Sequence, residues 1–396
     1  MYNKLTAIAP HRISICGGGT DFPSFYKQHN GAVINFAITR YSKIKLRKLK
    51  NKFIVDASDV NEYYNGTKEE LIKVKNTSMP LYTILEKGIP SKISIKSDVQ
   101  PRSGLGSSGT LAVNLVNVFH HVSNKKKIDP LELSERAYKL EADIFKKAVG
   151  KQDHMPAAFG GFNYIEYKKN KIIVIPFKKK ISNTLTENCL LFYLGMTRDA
   201  DKILRRQEKR VQNNSSEMID VLKTMNKLTR NMKKDLDHGN FKDVGNTLEI
   251  AWELKKKFTK GVSNRFIDKV HDIAIDSGAY GAKITGAGGG GHFLVIAEKS
   301  HHKNIIKKDG IDWCYFTAGT DHLLTDPKPL SDMYPWLRDG ERPYVMGCVN
   351  IEAHKIYPSG TVELTQELQS AANDIWNQRF DNVKLAMNKR YHIRRD

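Results

Sequence analysis

Apolar and polar positions alternate loosely over residues 3–16 before the chain meets Gly17-Gly18-Gly19, the pattern of a strand running into a flexible turn. Further strands are expected at 31–49 and 52–56. Lys92-Ile93-Ser94-Ile95-Lys96-Ser97 repeats with period two, and Pro101-Arg102-Ser103-Gly104-Leu105-Gly106-Ser107-Ser108-Gly109 then opens an apolar run to about Val122. That region reads strand, glycine loop, helix. From Asp129-Pro130 through Ala148, the positions Leu133, Ala137, Leu140, Ile144 and Ala148 fall on one helical stripe, with Pro130 suited to the first turn and an end near Gly150.

Residues 162–177 suggest a hairpin turning at Lys168-Lys169-Asn170-Lys171, and Cys189 to Gly195 a short apolar strand. The texture then changes. Asp199 to about His238 and Phe241 to Lys257 read as basic helices whose charges are solvated faces, which puts a domain boundary near residue 185. A helix over 264–277, a glycine cluster within Lys283-Ile284-Thr285-Gly286-Ala287-Gly288-Gly289-Gly290-Gly291, and strands His292 to Ala297 and Trp313 to Thr317 complete the pattern.

Charge adds one boundary. The chain holds 64 Lys+Arg against 43 Asp+Glu, net +21, a balance that suits nucleic acid, an anionic membrane or a polyanionic small molecule equally. Residues 320–396 carry 10 Lys+Arg and 11 Asp+Glu, so the basic excess stops near Gly319. Nucleic acid is disfavoured, because residues 201–260 interleave only Phe241, Trp252 and Phe258 among their charges. Cys16, Cys189, Cys314 and Cys348 form no C-x-x-C pair, so no disulfide framework or structural metal is expected. With no ~20-residue apolar run and no signal-like N-terminus, a soluble cytoplasmic protein without membrane contact is expected, and the triplet Asn213-Asn214-Ser215 is read as chance.

The chemistry concentrates in the loop Gly104–Gly109. Glycines let backbone approach a phosphate closely, and the N–H groups at a helix start favour anions. The loop lacks the Gly-Lys-Ser/Thr ending of a Walker A motif and the downstream acid of a dinucleotide fingerprint. It has company: Gly17–Gly19 with Asp21 behind it, Gly150-Lys151-Gln152-Asp153, and Gly286–Gly291.

Three glycine turns in this order resemble the signature motifs of GHMP kinases. Ala9-Pro10-His11-Arg12-Ile13-Ser14, Gly17-Gly18-Gly19-Thr20-Asp21, Gly150-Lys151-Gln152-Asp153 and Phe159-Gly160-Gly161-Phe162 look most like the heptose-7-phosphate kinase branch, over about residues 5–319. The resemblance implies an α+β fold with a ribosomal-S5-like N-terminal domain (1–185) and a ferredoxin-like C-terminal domain (186–319), ATP and Mg²⁺ as cofactors, and a sugar phosphate as acceptor. A homodimer is left open. Phosphoryl transfer needs a phosphate cradle, metal ligands and a residue that orients the acceptor. The resemblance nominates Ser103, Gly104, Leu105, Gly106, Ser107, Ser108 and Gly109 for the phosphates, and Ser108 with Glu141 for Mg²⁺. It nominates Asp153 as base with Arg12 beside it, and Gly18, Gly19, Thr20, Asp21, Gly286, Ala287, Gly288 and Gly289 for the substrate. Periodicity alone makes Glu141 a surface residue, and turn chemistry alone makes Asp21 a turn-bracing acid. A guanidinium beside Asp153 would favour its ionised form, so the carboxylate would orient the hydroxyl and take its proton late. Thr197, Arg198, Lys255 and Lys256 also lie in family-like segments but are not separable from solvated cations.

Two departures stand out. His154-Met155 replaces an expected glutamine and aromatic, which puts the shape of the acceptor pocket in question. Residues 320–396 have no counterpart in the family pattern; Tyr357-Pro358-Ser359-Gly360 and Asn377 to Lys384 resemble a stretch of a tailed-phage portal protein, and a helical docking or oligomerisation segment is the alternative.

Overall fold

The computed structural model describes residues 4–57, 60–124, 127–194, 200–213, 215–307, 314–317 and 360–362. In chain order the first part comprises β1 (Lys4–Cys16), α1 (Pro23–His29), β2 (Gly31–Lys48), β3 (Phe53–Ala57), β4 (Glu62–Gly66), α2 (Lys68–Leu71), α3 (Met79–Lys87), β5 (Ser91–Ser97), α4 (Ser107–Asn124), α5 (Pro130–Lys139), α6 (His154–Phe159), β6 (Phe162–Lys168) and β7 (Lys171–Pro176). After it come α7 (Lys179–Glu187), β8 (Cys189–Tyr193), α8 (Ala200–Gln212), α9 (Ser216–His238), α10 (Phe241–Lys256), α11 (Arg265–Asp276), β9 (Gly281–Ile284), β10 (His292–Ile296), α12 (His302–Lys307), β11 (Cys314–Thr317) and β12 (Gly360–Val362). The tail beyond Thr317 is described only at β12, which pairs antiparallel with β1; Thr197 and Arg198 lie outside the described residues.

Strands through Pro176 build one sheet. The long β2 pairs with β1 along one edge, and along the other with β6 through Gly31–Phe36 and with β5 through Ser42–Lys48. Strands β8 to β11 form a second, antiparallel sheet in the order β11-β8-β10-β9. Numbered along the chain this is 4-1-3-2, the split βαβ order of ferredoxin-like folds. Ile13, Phe36 and Phe162 of the first sheet share a core with Leu191, Phe293 and Trp252 of the second part. Helix α4 is buried on most of its circumference, packing Val113, Val118 and Phe119 against α3, β1 and β2. Trp252 and Phe258, counted above as aromatics among charges, are core residues.

Local signals act as expected at several ends. Asp129 caps α5 by accepting from Leu131 N and Glu132 N, and Pro130 takes the first position. Two expectations are corrected. The helix expected over 130–148 is regular only to Lys139; Leu140–Ile144 is a π-turn closed by Phe145 N to Leu140 O, and Ile144 points to solvent. Leu140 and Glu141 continue the buried stripe of Leu133, Ser134 and Ala137, and the π-turn that begins at Leu140 ends the regular period after them. The basic stretch expected to be helical from 199 to 238 holds two helices: α8 ends at Gln212, and Ser215 Oγ accepts from Met218 N to start α9.

Candidate active site

A register shift between Pro10 and Arg12 interrupts β1 where it passes under the start of α4. The Arg12 side chain, 3% exposed, donates from Nε (3.0 Å) and Nη2 (2.7 Å) to Asp153 Oδ1 and from Nη1 to Gly104 O (2.6 Å). One guanidinium thereby ties the candidate base to the glycine loop. Asp153 lies at the junction of a short 3₁₀ turn and α6, against Gly109, where a Cβ would come within 3.0 Å of the Asp153 Cβ.

The loop itself is braced from behind. Gly104 and Gly106 have φ of +83° and +74°, which only glycine adopts at low cost. The second glycine cluster packs on the first: a Cβ on Gly291 would stand 2.4 Å from Ser103 O, and one on Gly104 would stand 2.8 Å from Thr285 Oγ1. His292 closes the contact, donating from its backbone N to Ser103 O at 3.0 Å and placing Nδ1 2.7 Å from the same oxygen. Leu105 is an anchor in the core rather than a lining residue. Gly106, Ser107 and Ser108 are part-exposed at the first turn of α4, whose N–H groups have no intrahelical partners.

Ser108 Oγ donates to Glu141 Oε1. Glu141 is 1% exposed, and His154 Nε2 meets its other oxygen at 2.9 Å. Burial pushes the Glu141 carboxyl up, but the hydrogen bond and charge of His154 and the charge of Lys147 more than offset it, leaving it below the ordinary glutamate value. Lys147 Nζ lies 2.6 Å from Ser108 Oγ and 3.1 Å from Glu141 Oε1. A hydroxyl and a carboxylate that both contact one ammonium form a donor pair suited to a hard cation. Among the described residues no group of three or more His, Cys, Asp and Glu converges, and Ser108 and Glu141 are the residues here that could hold a divalent ion.

The cavity in front of Asp153 is lined by Gly17, Gly18, Gly19, Gln152, Gly286 and Ala287 among others, and its charged lining is Arg12, Asp153, Lys255 and Lys283. Lys255 Nζ is held by the carbonyl of Gly286, and Lys283 Nζ by those of Ile15 (2.7 Å) and Ser14 (3.2 Å). Burial, with the charges of Lys283 and Arg12, pushes Lys255 well below the ordinary lysine value; burial pushes Lys283 to about 8.

Some nominated residues are placed elsewhere. Asp21 is fully buried behind the cavity wall, accepting from Gly19 N (2.9 Å) and Gln152 N (3.0 Å), with burial pushing its carboxyl to about 6. Its geometry is that of a brace between the first glycine turn and the Gln152 segment. Thr20 Oγ1 is likewise spent on Gly17 O and Ala32 O. Gly288 and Gly289 pack on Val262, one step behind the lining. His154 and Met155, the departures expected to reshape the acceptor pocket, point away from the cavity into the interior, where His154 supports Glu141. Lys147 and Lys283 were not singled out by the sequence; the one available hint was their position beside Glu141 and the second glycine cluster.

Comparison with known proteins bears on the family and the fold. Residues 70–161 match the GHMP kinases N terminal domain and residues 232–309 the GHMP kinases C terminal domain. The D-glycero-alpha-D-manno-heptose 7-phosphate kinase of Campylobacter jejuni is 29% identical over 312 residues, covering 75% of this chain and 91% of its own. The galactokinase of Pyrococcus furiosus is 25% identical over 338 residues, covering 76% and 92%. Among solved structures, a putative sugar kinase from Campylobacter jejuni superposes with a TM-score of 0.59 at 26% identity, covering 80% and 97% of the two chains. A D-glycero-D-manno-heptose 1-phosphate kinase from Bacteriodes thetaiotaomicron shares the fold with a TM-score of 0.62 at 22% identity, covering 76% and 91%.

Proposed function

From the premise that this chain belongs to the GHMP kinases and is an ATP-dependent sugar kinase, we propose that it phosphorylates the anomeric hydroxyl of a heptose 7-phosphate, giving the 1,7-bisphosphate and ADP. Residues 1–185 would form the nucleotide-binding half and 186–319 the other half; no role is assigned to 320–396. The observation that carries the reading is the Arg12–Asp153 pair, set between a glycine loop and a cavity whose lining has three cations against one carboxylate. A phosphorylated acceptor fits that imbalance. Lysines held below their ordinary pKa by burial regain full charge when an anion enters.

In this reading the N–H groups of Gly106 to Gly109 cradle the ATP phosphates and Asp153 faces the acceptor hydroxyl. Asp153 orients the oxygen for in-line attack and accepts its proton as the new O–P bond forms. Arg12 keeps the carboxylate and the loop in one frame. Ser108 and Glu141 would hold Mg²⁺, which when bound neutralises charge on the phosphate oxygens.

An unphosphorylated sugar such as galactose or fucose is the nearest rival, and the cation-rich lining argues against it. A catalytically silent sensor is disfavoured because Asp153 lines the cavity and Glu141 faces Ser108. The test is ADP release with ATP, Mg²⁺ and a panel of sugars and sugar 6- and 7-phosphates, beside Asp153→Asn. Turnover on a heptose 7-phosphate that vanishes in the variant, with nucleotide still bound, is expected. No turnover on any sugar would sink the proposal.

A further inference from the structure

Lys147 belongs to no motif in the sequence, yet its ammonium caps the hydrogen-bonded pair of Ser108 Oγ (2.6 Å) and Glu141 Oε1 (3.1 Å). The placement is built into the backbone. Lys146 has φ +52°, unusual for a residue with a side chain, and its carbonyl accepts from Arg205 Nη2 at 2.5 Å. On the other side Ala148 N donates to Asp201 Oδ1 at 3.1 Å, and Lys147 N itself donates to Glu141 O at 3.0 Å. Helix α8 thus pins both neighbours of Lys147, and the chain folds back on Glu141.

Electrostatics explains why a cation belongs there. Glu141 is buried, and a buried carboxylate without a countercharge is strongly disfavoured. His154 serves the inner oxygen at 2.9 Å; on the outer oxygen the countercharge is Lys147, whose side chain is 35% exposed. The same outer oxygen and the Ser108 hydroxyl are the pair assigned above to Mg²⁺.

The geometry points to Lys147 as a tethered cation that keeps Ser108 and Glu141 assembled before the nucleotide arrives and yields its position to the divalent ion that accompanies ATP. This rests on the assignment of Ser108 and Glu141 as metal ligands. Metal entry then exchanges one cation for another at a preformed pair. The price is affinity, because the ion must displace an ammonium. Lys147 is a positioning residue, and its effect is on metal binding before any chemistry.

The test titrates Mn²⁺ into wild type, Lys147→Met and Lys147→Arg in the presence of a non-hydrolysable ATP analogue, reading free Mn²⁺ by electron paramagnetic resonance. Lys147→Met should bind Mn²⁺ about tenfold more tightly, the scale of one charge-assisted hydrogen bond no longer displaced. Lys147→Arg, which keeps a tethered cation, should stay close to wild type. In EDTA the melting temperature of Lys147→Met should fall and recover on adding Mn²⁺. Unchanged or weaker Mn²⁺ binding by Lys147→Met, or a melting temperature indifferent to metal, would overturn the inference. If that variant does not fold in either buffer, Lys147→Gln carries the same measurement. Glu141→Gln separates the two readings: if it binds Mn²⁺ as wild type does, the ligand assignment fails; if it loses Mn²⁺ while Lys147→Met is unaltered, only the role of Lys147 fails.

Discussion

Replacing Arg12 by Met tests the joint between base and loop most directly. Methionine keeps much of the stem that packs on Gly106, where a Cβ would lie 3.1 Å from Arg12 Cγ, and removes the charged head alone. Three donated bonds disappear: two to Asp153 Oδ1 and one to Gly104 O. Bonds to charged partners contribute about 1.5–3 kcal/mol each, but the two on a single oxygen do not add, and the Asp153 side chain is 28% exposed, so water recovers part of the loss. A net loss of about 3 kcal/mol in holding Asp153 against the loop follows, which corresponds to roughly a hundredfold in kcat/KM. Arg12→Lys should fall nearly as far, because one ammonium cannot reach both Asp153 and Gly104 O with the guanidinium's fork. Coupled ADP release at saturating ATP, with a thermal melt of each variant, makes the measurement. A folded Arg12→Met within about threefold of wild type, well short of that hundredfold, would refute the role given to the pair.

Lys283 supplies a pH dependence. Its folded-state pKa of about 8 lies below the ordinary lysine value, so its charge, and with it affinity for an anionic acceptor, declines as pH rises through about 8. The acceptor KM should rise there, and Lys283→Met should flatten that rise. The sign for stability is opposite: between about 8 and the unfolded value near 10.4 the folded chain binds fewer protons, so this group's contribution rises with pH. Gly291→Ala should unfold the site at lower temperature and lose nucleotide binding, since φ is +87° and the new Cβ would meet Ser103 O at 2.4 Å; an unchanged melt would count against the packing of the two glycine loops. Ser215→Ala removes the cap of α9 and should cost about 1 kcal/mol in chemical denaturation, with activity at low temperature unaltered.

Much of this protein is legible in its sequence because the signals are local. Period-two alternation announces β5, Asp129-Pro130 announces the start of α5, and the three glycine clusters announce turns that no other residue can make cheaply. What the sequence could not decide is which charges turn inward. Lys255 and Lys256 are neighbours in one basic run, yet Lys255 is buried at the cavity and Lys256 pairs with Glu253 on the surface. Asp21 and Asp153 both follow glycine turns, and only Asp153 lines the cavity. Arg12 meets Asp153 across 141 positions of sequence, and Glu141 is buried against Ser108 and His154, 33 and 13 positions away. Such placements depend on how two sheets and a central helix pack. Burial of a charge is set by partners from distant segments, and no periodicity within a segment records who those partners are.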